Sequence, residues 1–417
     1  MNVSIVHYAG PPIVGGVEST IYHHARLLVG AGFQVQVIAG RGEPFHPRVP
    51  FHLIPEADSR HPEVLEVGAA LARGEVPPAF YTLRDRLVDR LRPLLAESDA
   101  CIVHNAVTLH KNLPLTGALR ILSDGAVTRF VAWCHDFAWQ DALYTPDLHP
   151  GYPWDLLRTP WPGVRYVVVS ADRRGRLAAL LGIPEETIRV VHPGVDVVEF
   201  LKLGSGTRRL VEELDLLPAD PLMLLPARIT RRKNIEFAIR VTAALVPHKP
   251  WATLLVTGPP GPHNPANVAY LQSLRDLREG LGVADRVHFL YEHGPGDEPL
   301  YVTDEMMADL YRLSDLLLFP SRREGFGIPV LEAGLARLPI FAADIPPVRE
   351  SAGPFAHRFD PEGDPHAVAR AIADHLASDT AYRMRRRVLD RFTWRAILQR
   401  DLIPLLKEVT GNGPTDR

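Results

Sequence analysis

The feature that most constrains this fold is an alternation of strand-like and helix-like segments along most of the chain. The first forty residues contain the β-branched run VSIVHYAG, a Gly–Pro loop, a helical pattern that ends at Gly30 and Gly32, and the strand-like run QVQVIAG. A strand–helix–strand unit of this kind forms a parallel pair with a right-handed crossover. Further strand-like runs follow at FHLIP, CIVHNAV, RFVAWCHD and YVVVS. The pattern therefore predicts a parallel α/β sheet.

The alternation starts again near residue 221. PLMLLPAR, ATLLVTG, VHFLYE and LLLFPS have the composition of buried strands, and helical patterns separate them. A chain of 417 residues is also too long for one ordinary hydrophobic core. We therefore predict two doubly wound domains, at residues 1–200 and 201–395.

Composition excludes several classes of protein. A net charge of −3 and a pI near 6.7 give no indication of nucleic acid as a partner. Two cysteines and the absence of a long apolar stretch or a signal-like N-terminus predict a cytoplasmic protein. The arginines at 383 and 385–387 leave two interpretations open, contact with anionic lipid at the inner face of the membrane and a solvated helix face.

Ligands of open parallel sheets bind beyond the carboxyl ends of the strands, and two such domains would place a ligand between them. Gly15 and Gly16 follow the first strand, where glycine lets a ligand approach the helix amides; a bare tight turn is the alternative. Arg228 ends a strand and Lys233 opens the next helix, which favours a phosphate-binding pair. The intervening arginines 231 and 232 are interpreted as solvated.

The segment FPSRREGFGIPVLEAG carries two acids, Glu324 and Glu332, on either side of a glycine-rich step. Pro329 suits the first turn of a helix, whose free amides would favour an anion. The acids are eight positions apart, which corresponds to at most ~12 Å of helical rise. This spacing argues against a glycosidase pair and favours two contacts with one elongated ligand. The residues that supply the amides are Gly325, Phe326, Gly327 and Ile328.

In the first domain, His135 and Asp136 end a strand. A histidine there can be a general acid, a general base or a hydrogen-bond donor, and a purely structural role is the alternative. The aromatic-rich insertion that follows contains Trp139 and Tyr144, whose faces can stack on a sugar ring at an acceptor site. A packed loop over the sheet edge explains the same composition.

Two chemistries are not supported by the sequence. No Asp-x-Asp motif and no His/Cys cluster with metal-ligand spacing is present, so we predict no metal and no other cofactor. A dehydrogenase is disfavoured because the first strand leads into no G-x-G-x-x-G and no acid closes the second strand.

Taken together, these segments resemble the retaining GT-B glycosyltransferases of family four. The resemblance covers almost the whole chain, through GGVE, HPGVDVVEF, PARITRRKNIEFAI, the long segment from DLYRLSD to IPPVRE, and RFTWRAIL. Its most specific element is the pair of glutamates with seven residues between them. Departures are HPGVD in place of the usual NGVD, ARLP in place of ACGTP, and a long loop, YEHGPGDEPLYVTDE, after the VHFL strand.

The resemblance implies a GT-B architecture, with two facing Rossmann-like domains and an interdomain cleft. It implies transfer of a hexose, with retention and without a metal, from a UDP- or GDP-sugar to a hydroxyl of a sugar, lipid-linked glycan or small molecule. It also implies that a C-terminal helix, at about 396–417, packs back on the first domain. An epimerase of the same architecture and a catalytically silent sugar-nucleotide-binding protein remain the alternatives.

The resemblance also assigns roles. Glu324 would hold the hydroxyls of the donor sugar, Glu332 the ribose, and the amides of residues 325–328 the sugar and diphosphate. Arg228 and Lys233 would neutralise the diphosphate leaving group.

In the first domain the resemblance places Gly16 against the diphosphate and His135 near the reactive face of the sugar. The predicted catalytic set is thus Glu324, His135, Arg228 and Lys233. Asp136 belongs with the predicted acceptor residues.

Overall fold

The chain folds into two compact units. The computed structural model describes residues 1–13, 15–262, 266–296 and 298–411. Unit 1 comprises Met1–Val195 together with the chain from Phe392 onward, and unit 2 comprises Asp196–Arg391. The sequence-based prediction places the two boundaries at 200/201 and at about 396.

Unit 1 is built on a seven-stranded parallel sheet in the order β3-β2-β1-β4-β5-β6-β7. The strands are β1 (Asn2–His7), β2 (Gln34–Ala39), β3 (Phe51–Leu53), β4 (Ala100–His104), β5 (Arg129–Cys134), β6 (Arg165–Val168) and β7 (Ile188–Val190). The helices between them are α1 (Gly16–Gly30), α2 (Pro62–Leu71), α3 (Pro78–Ala96), α4 (Leu113–Asp124) and α5 (Ala171–Leu181).

Unit 2 repeats the plan with a six-stranded parallel sheet in the order β10-β9-β8-β11-β12-β13. The strands are β8 (Leu222–Leu225), β9 (Thr253–Val256), β10 (Val287–Phe289), β11 (Leu316–Phe319), β12 (Ile340–Ala343) and β13 (His357–Phe359). The helices are α6 (Val197–Phe200), α7 (Ser205–Glu213), α8 (Ile235–Leu245), α9 (Ala266–Gly280), α10 (Asp304–Leu313), α11 (Ile328–Leu335), α12 (Pro346–Ala352), α13 (Pro365–Ser378) and α14 (Thr380–Arg391). Two doubly wound α/β units confirm the predicted fold class.

After α14 the chain returns to unit 1. There it forms α15 (Trp394–Ile397), a π-helical turn (Leu398–Leu402) and α16 (Ile403–Val409). The apolar side chains of this segment, such as Trp394 and Leu402, are buried against α1 and one face of the first sheet. Residues 412–417 of the predicted C-terminal helix lie outside the described residues.

Each sheet has a hydrophobic core on both of its faces. Successive side chains of a strand point to opposite sides, so adjacent residues of one strand enter different cores. In β1, for example, Ile5 is buried in one core of unit 1 and Val6 in the other. Unit 2 likewise contains two cores, one on each face of its sheet. Strands buried on both faces are near-continuous apolar runs, which is why the sequence identifies most of them.

Single turns of 3-10 helix occupy many of the connections. They are Pro55–Ala57, His110–Asn112, Ala138–Gln140, Thr145–Asp147, Trp154–Leu157, Glu185–Thr187, Arg231–Lys233, Ala284–Arg286 and Leu290–Glu292. Both cysteines, Cys101 and Cys134, are buried free thiols, as their apolar surroundings in the sequence predict. Among the described residues, no helix has the length and apolar character that a membrane span requires.

Candidate functional site

The strand order defines a candidate ligand site in unit 2, at the carboxyl ends of β8 and β11. The chain leaves β8 toward β9 on one side, whereas β11 pairs with β8 on the other side. Such a reversal of strand order opens a crevice at the sheet edge, where ligands of doubly wound folds bind. Both basic residues predicted as phosphate ligands follow β8, and the predicted glutamates follow β11.

The loop after β8 carries Arg228 and then a 3-10 turn that ends at Lys233. The next residue, Asn234, has a left-handed backbone (φ 54°) and starts α8. Asparagine tolerates this conformation better than most residues, which allows the sharp change of direction. As a result Lys233 is buried, although it lies in a basic, loop-like stretch of sequence.

Lys233 and Glu324 form an ion pair across the crevice. Lys233 Nζ lies 2.5 Å from Glu324 Oε1, and each side chain is only 9% exposed. The ammonium also lies 5.2 Å from the centre of the Phe319 ring, at the end of β11. The structure thus brings together two of the predicted catalytic residues that are 91 positions apart in the sequence.

Burial and pairing act on both charges. Burial alone would raise the pKa of Glu324, but the hydrogen bond from Lys233 and the nearby cations hold it below its usual value. Burial lowers the pKa of Lys233, and Glu324 only partly offsets this effect. Glu324 is therefore an ionised hydrogen-bond acceptor at neutral pH rather than a proton donor.

Arg232 is exposed, as the sequence predicts, but it also contacts the crevice. Its guanidinium Nη1 lies 3.2 Å from Glu324 Oε2. Its neighbour Arg231 instead lies over the ring of Tyr270, with 5.0 Å from the guanidinium carbon to the ring centre. Glu324 thus has two cationic partners, and its charge stays compensated when either one is engaged elsewhere.

The glycine-rich step between the glutamates presents free amides. Gly327 has a left-handed backbone (φ 97°), which favours glycine, and the residue after it begins α11 with Pro329 in its first turn, as predicted. Within the described residues, the amides of Gly325, Phe326 and Ile328 donate to no protein acceptor. Amides at a helix N-terminus favour anionic ligands.

Arg228 and Glu332 line an open groove of about 500 Å³ in unit 2. Arg228 has no acidic partner within the described part of the chain, so its charge is available to a ligand. The walls that the sequence did not predict come from the loop after β9 and from the long loop before α10. They include Thr257, Gly258, Tyr301 and Val302.

Tyr311 is a site residue that sequence reasoning missed. It is buried in α10, and its hydroxyl donates to Glu332 Oε2 at 2.6 Å. Burial and this hydrogen bond to a carboxylate raise the pKa of the phenol, so the hydroxyl remains a donor. Tyr311 therefore orients Glu332. In the sequence, Tyr311 stands among the apolar residues that face the core from this helix, and nothing in that pattern indicates a contact with Glu332.

In unit 1 the equivalent reversal of strand order lies between β1 and β4. Gly15 caps α1 in an extended conformation and Gly16 is its first residue. The carboxylate of Glu18, in the first turn of the helix, lies against Gly15. The predicted glycines thus stand at a helix N-terminus beyond β1.

Unit 1 also contains a largely buried cluster of histidines that the sequence did not predict as a group. It consists of His7, His24, His104 and His135, close to the ring of Trp133. His104 Nδ1 lies 3.1 Å from His135 Nε2. The signal was present, since three of these histidines end or follow neighbouring strands, but only the strand order brings them together.

Asn105 holds the backbone around His135. Its side-chain oxygen accepts from the amides of His135, at 2.8 Å, and Asp136, at 3.3 Å. Asp136 also pairs with Arg173 at 3.5 Å and is about half exposed. The predicted residues His135 and Asp136 are therefore in ordered positions beyond β5.

The two predicted acceptor aromatics lie in the insertion after β5, apart from this cluster. Trp139 donates to the backbone oxygen of Trp154, and the guanidinium of Arg158 covers its ring at 4.0 Å. Tyr144 contacts His110, and Lys111 Nζ lies 4.0 Å from its ring centre. Each ring already has a protein cation against it.

The histidine cluster predicts an acid-sensitive unit 1. Burial lowers the pKa of His7 and His135 to about 4 and of His24 to about 3, and that of His104 falls as well. Below about pH 6.5 the unfolded chain binds protons that the folded chain does not, so stability present at pH 7 is lost as the pH falls toward 4. Each histidine adds up to about 1.4 kcal/mol per pH unit to this slope.

Unfolding by urea at pH 7, 6 and 5 measures the slope. The variant His24→Leu removes one buried histidine whose two ring nitrogens have no hydrogen-bond partner among the described residues. We expect its free energy of unfolding to fall less steeply with acidification than that of the unmodified chain. An unchanged slope would show that His24 is protonated in the folded state.

The fold and the candidate site beyond β8 and β11 define a class of protein. This class is the doubly wound α/β proteins that bind ligands beyond the carboxyl ends of their strands. Comparison with known proteins then identifies the family. The model described as "Glycosyl transferases group 1" matches residues 208–389, and that described as "Glycosyltransferase Family 4" matches residues 14–199. The chain therefore belongs to the group 1, family 4 glycosyltransferases, which confirms the predicted family.

Individual relatives match only part of this chain, at about 30% identity. A protein named D-inositol 3-phosphate glycosyltransferase from Nocardia farcinica is 30% identical over 43% of this chain and 38% of its own length. One of the same name from Saccharomonospora viridis is 30% identical over 57% and 56%. The chain thus spans about half or less of the length of these relatives. A glycosyltransferase structure from Rickettsia africae covers 99% of both chains, at 15% identity and a TM-score of 0.38.

Proposed function

We propose that this protein transfers a hexose from a UDP- or GDP-sugar to a hydroxyl of an acceptor, with retention of the anomeric configuration and without a metal ion. The observation that carries the proposal is the charged constellation at the carboxyl ends of β8 and β11. There the Lys233–Glu324 pair lies beyond the same two strands as Arg228, Glu332 and the free amides before α11. Membership of a glycosyltransferase family supports the same reaction class.

The constellation suits each part of a nucleotide sugar. Guanidinium and ammonium groups bind diphosphate oxygens, and ionised carboxylates accept hydrogen bonds from ribose and sugar hydroxyls. Arg228, Lys233 and the amides at residues 325–328 would stabilise the diphosphate. Glu324 would hold the sugar and Glu332, oriented by Tyr311, the ribose.

In the proposed reaction the acceptor oxygen forms a bond to the anomeric carbon on the face from which the nucleoside diphosphate departs. The bond between the anomeric carbon and the diphosphate oxygen breaks, and the acceptor's proton leaves with the diphosphate. Negative charge develops on the leaving group, where fixed cations and amides lower the barrier. Because those cations belong to the chain itself, the proposal includes no metal.

Unit 1 would provide the remaining groups. His135 would contact the reacting sugar, Gly16 would approach the diphosphate, and Asp136, Trp139 and Tyr144 are proposed acceptor contacts. The proposed acceptor is a sugar, a lipid-linked glycan or a small molecule that carries a hydroxyl group. A cytoplasmic location is part of the same proposal, and two free, buried cysteines fit a reducing compartment.

Incubation of the full chain with UDP-, GDP- and ADP-sugars, without an acceptor, tests the proposal. We expect one donor to raise the unfolding temperature and to release its nucleoside diphosphate slowly, with or without EDTA. Binding without release would favour a silent sugar-nucleotide-binding protein, and conversion to an isomeric sugar nucleotide would favour an epimerase. No binding of any donor would overturn the proposal, and loss of release in EDTA would overturn its metal-free form.

Tyr311→Phe tests the proposed ribose contact. The variant removes the hydroxyl that orients Glu332, so we expect the KM for the donor to rise about 10-fold while kcat changes little, because a hydrogen bond to a charged group contributes roughly 1.5–3 kcal/mol. Tyr291→Phe is a matched control, since the Tyr291 hydroxyl has no hydrogen-bond partner within the described chain. Equal KM values for the two variants would contradict the assignment.

A further inference from the structure

The contact between His104 and His135 constrains the protons of both rings. His104 is fully buried, and its Nδ1 lies 3.1 Å from Nε2 of His135. At this distance one nitrogen must carry the proton and the other must present its lone pair, because two N–H groups or two lone pairs would repel each other. Each imidazole is then limited to one tautomer.

The surroundings of His104 decide between the two arrangements. Its Nε2 is buried and has no hydrogen-bond partner among the described residues. If His135 were the donor, neutral His104 would carry its proton on that Nε2, as a buried N–H without an acceptor. If His104 donates through Nδ1, its Nε2 carries no proton, and only the lone pair of that Nε2 is left without a hydrogen-bond donor. Orphaned buried N–H groups are the rarer of the two in native proteins.

We propose that His104 is a positioning residue that donates from Nδ1 to His135 Nε2 and thereby holds neutral His135 as its Nδ1–H tautomer. Nδ1 of His135 makes no hydrogen bond within the described residues, so its N–H is available to a ligand. His135 then presents a hydrogen-bond donor at this position and cannot act as a base through Nδ1. The consequence for catalysis, but not the tautomer itself, rests on the proposed function.

Two further contacts support a rigid arrangement. The backbone oxygen of His104 accepts from Nδ1 of His7 at 3.0 Å, and Asn105 holds the amide of His135 at 2.8 Å. The ring of His104 also packs against Trp133, with 5.6 Å between ring centres. The donor nitrogen is therefore fixed by the ends of β1, β4 and β5 rather than by a mobile side chain.

The test is the ring ¹⁵N spectrum of His135 at pH 7, with the resonances assigned by loss in His135→Gln. In the unmodified chain we expect the proton on Nδ1. In His104→Leu we expect a mixture of the two tautomers. His24→Leu is the matched control, because His24 is equally buried in the cluster but has no hydrogen-bond partner among the described residues. In that variant the proton should remain on Nδ1.

A proton on Nε2 in the unmodified chain would overturn the proposal even if His104→Leu could not be produced. An unchanged His135 spectrum in His104→Leu would overturn it as well. With the identified donor, kcat of His104→Leu should fall about 10-fold at nearly constant KM, as for other residues that fix a histidine's tautomer. Absence of any transfer by the unmodified chain would refute the proposed function and leave the tautomer result standing.

Discussion

Lys233→Met is expected to lower kcat/KM for glycosyl transfer by about 10²- to 10³-fold. Lys233 is the buried cation at the carboxyl ends of β8 and β11, and its ammonium would oppose the charge that develops on the departing diphosphate. Removal of one fixed electrostatic contact of this kind typically costs a factor in that range. Steady-state kinetics with the donor found by the thermal-shift panel provide the measurement.

Lys249→Met is the matched control for this prediction. Lys249 is also a lysine of unit 2, but it pairs with Asp220 at 3.3 Å, at the amino end of the sheet. We expect its transfer rate to stay near that of the unmodified chain. If the two methionine variants lost activity equally, the loss would reflect damage to unit 2 and not a role of Lys233 in the reaction.

Lys233→Met should leave stability nearly intact. In that variant Glu324 keeps its contact with Arg232 at 3.2 Å, so its charge remains compensated. The expected loss in free energy of unfolding is about 1 kcal/mol or less, because the substitution leaves no uncompensated charge in the buried position. In this variant we therefore expect a large loss of activity with little loss of stability.

Glu324→Gln is expected to abolish transfer and also to destabilise the protein by roughly 2–3 kcal/mol. Its partner Lys233 is 9% exposed and has no second carboxylate partner among the described residues, so the substitution leaves an uncompensated charge in a buried position. Breaking a fully buried pair from one side costs about 3–5 kcal/mol, and access of water on the crevice side makes the expected cost smaller here. Urea unfolding and transfer assays measure the two effects.

The double variant Lys233→Met/Glu324→Gln provides the control. It removes both charges, so we expect its stability to exceed that of Glu324→Gln alone, while transfer remains absent. Additive losses in stability would mean that the two side chains do not interact in solution. Restored transfer would contradict the roles assigned to both residues.

Most of the fold follows from the sequence because its strands are buried on both faces and are therefore apolar throughout. The strands that the sequence analysis left unassigned are β7, β12 and β13. β7 and β13 are three-residue edge strands, and β13 carries exposed His357 and Arg358. Edge strands lack the apolar run that identifies buried ones. β12 is buried, but half of its four residues are alanines, which are uncommon in strands and common in helices, so its pattern does not distinguish it from a helix end.

The sequence alone determined the class of fold, the family and the strand ends at which the candidate residues stand. It did so because apolar periodicity, glycine-rich turns and motif spacing are properties of neighbouring residues along the chain. Only the tertiary structure decided which of those strand ends meet. β8 pairs with β11, so Lys233 reaches Glu324; β4 pairs with β5, so His104 reaches His135.

Tyr311 reaches Glu332 in the same way, through the packing of α10 beside α11. The partners in these contacts are 91, 31 and 21 residues apart. Pairing over such separations depends on the order of strands in the sheet and on the packing of helices over it. Neither is encoded in the local pattern around any one of these side chains, which is why the sequence predicted the charged residues and not the contacts that set their chemistry.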